Sequence, residues 1–221
     1  VSLKLSDHPT YNLLARVAEY EKACRWLRDN MHLPEAVAAV YAAVFEGGGT
    51  LWFAGNGGSA ADAQHCAAEY VGRFLLDGRQ PLNAGALTVD TSVLTAIGND
   101  FGFDKVFARQ AAARVRENDG VVVHSTSGAS ENVAQLLAWA KACRPTVPRV
   151  ALLGPRHRCQ QTQVAELANV VVFAEVDGPA VQMAHMMFQH LVAEIVDYWV
   201  VNKFRRQKAA VPALKHAEYP P

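Results

Sequence analysis

The chain reads as an α/β fold built on a parallel five-stranded sheet with helices on both faces, a flavodoxin-like three-layer sandwich. Three observations predict it. Five short, continuous apolar runs recur, at Leu51–Ala54, Ala86–Val89, Val121–His124, Val150–Leu153 and Val170–Phe173; such runs mark strands covered on both faces. Helical patterns separate them, which calls for crossovers and not hairpins. The connections lack internal repeats and low-complexity linkers.

Before the first strand come two helices. Tyr11–Asn30 carries an apolar stripe of Leu13, Leu14, Val17, Tyr20, Cys24 and Leu27 after an irregular arm at residues 1–10. Pro34 suits the first turn of a second helix, Pro34–Phe45, which Gly47, Gly48 and Gly49 end. Residues 1–50 therefore read as a helical extension that packs against a partner subunit.

The next stretch, Leu51–Arg73, is strand, glycine turn, helix. The turn is Gly55–Gly58, and the helix opens at Ser59 with Asp62 three residues on, a variant of the capping box. A helix start preceded by glycines offers outward N–H groups and a favourable dipole to an anion at Gly57, Gly58 and Ser59. A tight turn without a ligand is the alternative. His65 and Glu69 are four apart, so they share one helix face and can share a divalent metal, with zinc the usual candidate. An ordinary hydrogen-bonded pair is the alternative there.

Helices are expected at Asp90–Ile97, Phe103–Val115, Ser130–Cys143 and near Gln160–Leu167. The loop after the third strand, Ser125-Thr126-Ser127-Gly128-Ala129-Ser130, brings four hydroxyls to a strand's carboxyl end, with Ser130 placed to cap the next helix. Hydroxyls and backbone N–H groups can hold phosphate oxygens, and a Ser/Thr-rich turn is the bland reading. The last long helix, Pro179–Lys203, carries Met183, Met187, Leu191 and Ile195 as a core stripe. Residues 204–221 read as a basic, solvated tail.

Composition narrows the class. With 221 residues, 51% hydrophobic and 19% charged, the chain reads as one globular domain and not as disordered. Its formal net charge of zero gives no bulk attraction to nucleic acid or membrane. Cys24, Cys66, Cys143 and Cys159 form no CxxC pair, so reduced thiols in a cytoplasmic protein are expected. The N-terminus lacks a signal-peptide pattern, and no apolar run reaches the ~18 residues of a membrane span.

Taken together, AGNGGSAADAQH-x3-E, GNDFG (Gly98–Gly102), STSG-x-S (Ser125–Ser130) and Q-x7-H (Gln182, His190) resemble the sugar isomerase (SIS) domain family, and within it the phosphoheptose isomerases. The resemblance covers roughly residues 35–200. It implies a single SIS domain over 1–221 that converts sedoheptulose 7-phosphate to D-glycero-D-manno-heptose 7-phosphate, a phosphorylated seven-carbon sugar, through an enediol. It also implies one zinc per subunit and a homotetramer with active sites at subunit interfaces.

By the same resemblance, Asn56, Gly57, Gly58, Ser59, Glu69, Asn99, Asp100, Ser125, Thr126, Ser127, Ser130 and Gln182 contact substrate. The zinc ligands would be His65, Glu69, Gln182 and His190. Glu69 and His190 would exchange protons, and Asp62, near the same site, would be catalytic with them. A zinc-bound carboxylate is a weaker base, so Glu69 exchanges between metal and substrate, or the metal is structural. Gln182 and His190, eight residues apart, are separated by about 12 Å of helix rise and roughly 80° of rotation. Either the helix starts irregularly or two chains build the site. His185 matches a family histidine and is expected to pack or support.

The chain departs from the family at Met183, where an acid is usual, at Ala129, where Asn is common, and at Gly154–Gln163, which lacks a TGxxGG turn. The reading held beside the enzyme is a non-catalytic scaffold or sugar-phosphate sensor, whose relatives usually lose the metal and acid–base set.

Overall fold

The computed structural model describes residues 13–210, with side chains over 13–200. Five strands alternate with helices: α1 (Leu13–Asp29), α2 (His32–Glu46), β1 (Leu51–Gly55), α3 (Gly58–Val71), β2 (Ala84–Ala86), α4 (Thr91–Phe101), a 3-10 turn (Phe103–Lys105) and α5 (Val106–Arg114). Then follow β3 (Gly120–Ser125), α6 (Glu131–Cys143), β4 (Arg149–Leu153), α7 (Arg156–Cys159), α8 (Gln163–Leu167), β5 (Val170–Phe173) and α9 (Ala180–Ala210). The sheet is parallel throughout, in the order β2-β1-β3-β4-β5.

Alternation along each strand divides the core in two. Leu51, Phe53, Val122, Val150 and Leu152 face α1, α2, α3 and α9, where Tyr41, Tyr70, Phe188 and Val192 are buried. Trp52, Ala54, Val121, Val123, Ala151 and Leu153 face α5, α6 and α8, where Phe107, Leu136 and Leu137 are buried. Each fully buried side chain of this size contributes roughly 1.5–3 kcal/mol of transfer free energy. The expected layers are thus present.

Several boundaries differ from the expectation. β2 is Ala84–Ala86, not Ala86–Val89, because space and not apolar bulk selects it. Gly85 pairs with Trp52, whose indole lies where a Cβ on Gly85 would sit. Past Leu87 the chain leaves the sheet, and Asp90 caps α4 by accepting from Val93 N–H. The helix expected near 160–167 is α8, which starts at Gln163 with Thr162 as its cap, and the short α7 before it was not expected. On α1 the buried residues are Ala23, Trp26 and Leu27, while Leu13, Leu14, Val17 and Tyr20 are exposed. On α9, Met183 is half exposed and the core is lined by Val181, Ala184, Phe188, Val192 and Val196. That helix continues to Ala210, so residues 204–210 are helical. The arm at 1–10 and residues 211–221 of the tail lie outside the described residues. No helix among the described residues is long and apolar enough to cross a membrane.

A buried polar network crosses the first core. The amide of Gln189 (α9) donates to Tyr41 Oη at 3.1 Å and lies 3.0 Å from His124 Nε2. Since the amide donates, His124 Nε2 accepts, and its proton is on Nδ1. His185 Nε2 lies 3.1 Å from the Leu153 carbonyl, which accepts, so that nitrogen carries its proton. His185 therefore packs and supports. Burial holds His124 down to about 3 and His185 to about 4, from an ordinary 6.5.

Both imidazoles are neutral in the folded chain and take up protons near pH 6.5 once unfolded. Below that pH the unfolded state binds more protons, so stability falls as the pH drops from 6.5 toward 4. The slope is up to about 1.4 kcal/mol per pH unit per histidine. Urea midpoints measured between pH 7.5 and 4.5 should show this slope, and His185→Gln should remove about one proton from it.

Candidate active site

The strand order reverses between β1 and β3, because β1 leads to β2 on one side while β3 opens the other. Ligands of open parallel sheets bind at the carboxyl ends of strands beside such a point. Gly55 pairs with His124 in the register, so the glycine turn and the hydroxyl loop leave the sheet as neighbours. Two hydrogen bonds join the glycine turn to the first turn of α6, which follows the hydroxyl loop. Asn56 Nδ2 donates to Asn132 Oδ1 at 2.8 Å, and Asn132 Nδ2 donates to Asn56 Oδ1 at 2.9 Å.

The expected capping box does not form. α3 opens at Gly58 after Gly57, whose φ of 56° suits glycine, and no side chain caps it. Ser59 is buried, and Asp62 serves α9 instead, accepting from Gln182 Nε2 at 3.0 Å. Gly58 permits this, because a Cβ there would occupy the Gln182 amide. Burial raises the Asp62 carboxyl, opposed by the Gln182 bond and by His65. Its second oxygen, Oδ2, is buried without a hydrogen-bond partner.

The hydroxyl loop is wound on itself. Ser125 Oγ accepts from Gly128 N–H at 3.1 Å, and Ser127 Oγ accepts from Ala129 N–H at 3.2 Å. Both hydroxyls keep a proton to donate. Ser130 occupies the cap position of α6 without a side-chain cap bond, and Thr126 and Ser127 are exposed.

His65, Glu69 and His190 meet between α3 and α9. His65 Nε2 is 2.9 Å from His190 Nε2 and 3.0 Å from Glu69 Oε1, and one donor atom from each residue lies within 4.8 Å of the others. Two facing imidazole nitrogens need a proton or a cation between them. Nitrogen and oxygen ligands about 2.0–2.2 Å from a tetrahedral ion stand roughly 3.3–3.5 Å apart. The group therefore suits a divalent cation after a small opening. Phe74 stacks on the His190 ring, 5.3 Å between centroids. Burial lowers the pKa of His190, His65 lowers it further and Glu69 opposes.

Gln182 lies in regular helix, two turns from His190, so the alternative of an irregular helix start is not met. Asn99 Nδ2 donates to Asp100 Oδ1 at 2.8 Å. Both are exposed near the end of α4, and among the described residues no hydrogen bond or ion pair joins them to the rest of the site. Sequence reasoning missed Asn132, Arg79 and Asp197. An Asn in the first turn of a helix and an Arg in a loop carry no signal of their own. An acid inside the apolar run of α9 was the one hint.

A profile of the SIS domain matches residues 21–153. The chain belongs to the SIS domain family. It is 42% identical over 197 residues to a phosphoheptose isomerase of Solidesulfovibrio magneticus, covering 86% of this chain and 92% of that one. It is 50% identical over 153 residues to a phosphoheptose isomerase of Geobacter sulfurreducens, covering 68% and 77%. The structure of phosphoheptose isomerase from Neisseria gonorrhoeae superposes with a TM-score of 0.74 at 34% identity, over 84% of this chain and 97% of that one. That from Francisella tularensis gives 0.72 at 29% identity, over 85% and 100%. Within the SIS domain family the chain groups with these isomerases and is an enzyme of that type, which sets aside the scaffold or sensor reading.

Gly58→Ala should displace the Gln182 amide and break its bond to Asp62. We expect kcat/KM to fall at least about tenfold, the loss typical of misplaced site groups. The thermal midpoint should move by only a few degrees. Steady-state kinetics beside a melting curve checks this.

Proposed function

We propose that the chain interconverts sedoheptulose 7-phosphate and D-glycero-D-manno-heptose 7-phosphate through an enediol. The observation that carries the reading is the meeting of His65, Glu69 and His190 between two helices, one of which springs from the glycine turn at the sheet's switch point. The names of the relatives support the substrate class.

In this reading Ser125, Thr126, Ser127 and Ser130 hold the phosphate through hydroxyls and loop N–H groups. Asn56, Gly57, Gly58, Ser59 and Gln182 take the sugar hydroxyls, with Asn99 and Asp100 at the rim. Glu69 takes a proton from C1 of the ketose and His190 gives one to O2, each acting while it is free of the metal. The enediol then returns a proton from O1 to one partner and receives one at C2 from the other, so the protons balance. A carboxylate–imidazole pair is suited to this work. Asp62, held by Gln182, orients the sugar end of α3.

His65, Glu69 and His190 would hold one zinc per subunit. Gln182 joins them if it leaves Asp62. Bound zinc would polarise the substrate carbonyl and stabilise charge developing on its oxygen. We assign a homotetramer with sites at subunit interfaces to this SIS domain of residues 1–221, and cytoplasmic work on a free phosphosugar. The exposed Leu13, Leu14, Val17 and Tyr20 on α1 support a packing role for residues 1–50.

Purified chain incubated with sedoheptulose 7-phosphate should form the aldose, and a chelator should abolish turnover until zinc is restored. Glu69→Gln and His190→Ala should each lower kcat by about 10²–10⁴-fold with the fold retained. No turnover by zinc-loaded protein would refute the substrate assignment. Full turnover by metal-free protein would refute a catalytic metal.

A further inference from the structure

We propose that Arg79 is a positioning residue: it clamps the carboxyl end of α3 to α9 and so sets the separation of Glu69 from His190. The inference rests on reading His65, Glu69 and His190 as metal ligands.

The Arg79 and Asp197 side chains are 0% and 1% exposed, and Arg79 Nε lies 2.6 Å from Asp197 Oδ1. Arg79 Nη1 donates to the carbonyls of Tyr70 at 2.9 Å and Gln80 at 2.8 Å. Nη2 donates to the carbonyl of Glu69 at 2.7 Å and, at 3.4 Å, to that of Gly72. The carbonyls of Glu69, Tyr70 and Gly72 belong to the last turn of α3 and its cap, where a helix leaves acceptors unpaired. One guanidinium therefore grips the backbone of Glu69 itself. Asp197, on the other side of the clamp, follows His190 by two turns of α9.

The trio is thus bracketed. Gln182 and Asp62 join the two helices on one side of it, and Asp197 and Arg79 join them on the other. A buried ion pair is weak support for stability, because apolar residues of like volume often replace it without loss. Its use here is geometric. A planar fork reaches several carbonyls and a carboxylate at once, and a lysine cannot reproduce that. Groups that orient metal ligands from behind typically change metal affinity by 10–100-fold when lost.

The test uses the full chain stripped of metal, with Zn²⁺ titrated against a chromophoric chelator. Arg79→Met combined with Asp197→Leu removes both charges and leaves neither buried alone. We expect a cooperative melt, zinc affinity lowered about 10–100-fold, and shifted His65 and His190 ring nitrogen signals in the metal-free protein. Arg79→Lys keeps the charge pair and loses the fork, and should remain measurably weaker for zinc than the unaltered chain. It carries the comparison if the double variant fails to fold. Folded variants with unaltered zinc affinity and ring signals overturn the proposal. If the unaltered chain binds no zinc, the ligand reading fails. The ring signals then decide positioning alone, and unshifted signals overturn that too.

Discussion

Strand polarity is the constraint on which the candidate site depends. In an all-parallel sheet every crossover helix starts at the carboxyl edge and runs back beside the strands, so helices on one face share a direction. α3 follows β1, α9 follows β5, and both pack on the same face. Gln182 therefore meets the first turns of α3, His190 meets its middle, and Asp197 reaches its end through Arg79. Reversing either helix would carry His190 away from His65 and Glu69. The three-residue group is a product of topology before it is a product of side-chain chemistry.

The switch in strand order supplies the other half. It sends the chain after β1 and after β3 to helices on opposite faces just where the sequence places a glycine turn and a run of hydroxyls. The chain carries no net charge, so on the proposed reading a phosphate would be held by local donors. The loop hydroxyls accept from their own backbone and keep protons to give. His124, the residue before Ser125, and His185 are neutral and each bonded on one ring nitrogen, so they stiffen the core behind the loop without adding charge.

Much of this was legible in the sequence where a single element carried the signal. Continuous apolar runs identified the strands, and four-residue spacing put His65 and Glu69 on one face. The link to His190 came from motif resemblance, since no local pattern connects residues 125 positions apart. What was illegible shares a physical cause. β2 is set by the space over Trp52 and not by its own weak propensity. The capping box failed because Asp62 had a partner 120 residues away. The α1 stripe was read as a single face, yet Leu27 is buried within the chain while Leu13, Leu14, Val17 and Tyr20 face outward. Arg79 carries no signal in its loop, and only the arrival of α9 gives it a buried carboxylate.

The amide pair between Asn56 and Asn132 has a further consequence. Two carboxamides that each give and take one hydrogen bond form a closed, neutral ring with no group that ionises in water's range. Rotating both amides together restores the same pattern. The glycine turn is consequently tied to the start of α6 by a latch indifferent to acidity and nearly so to ionic strength.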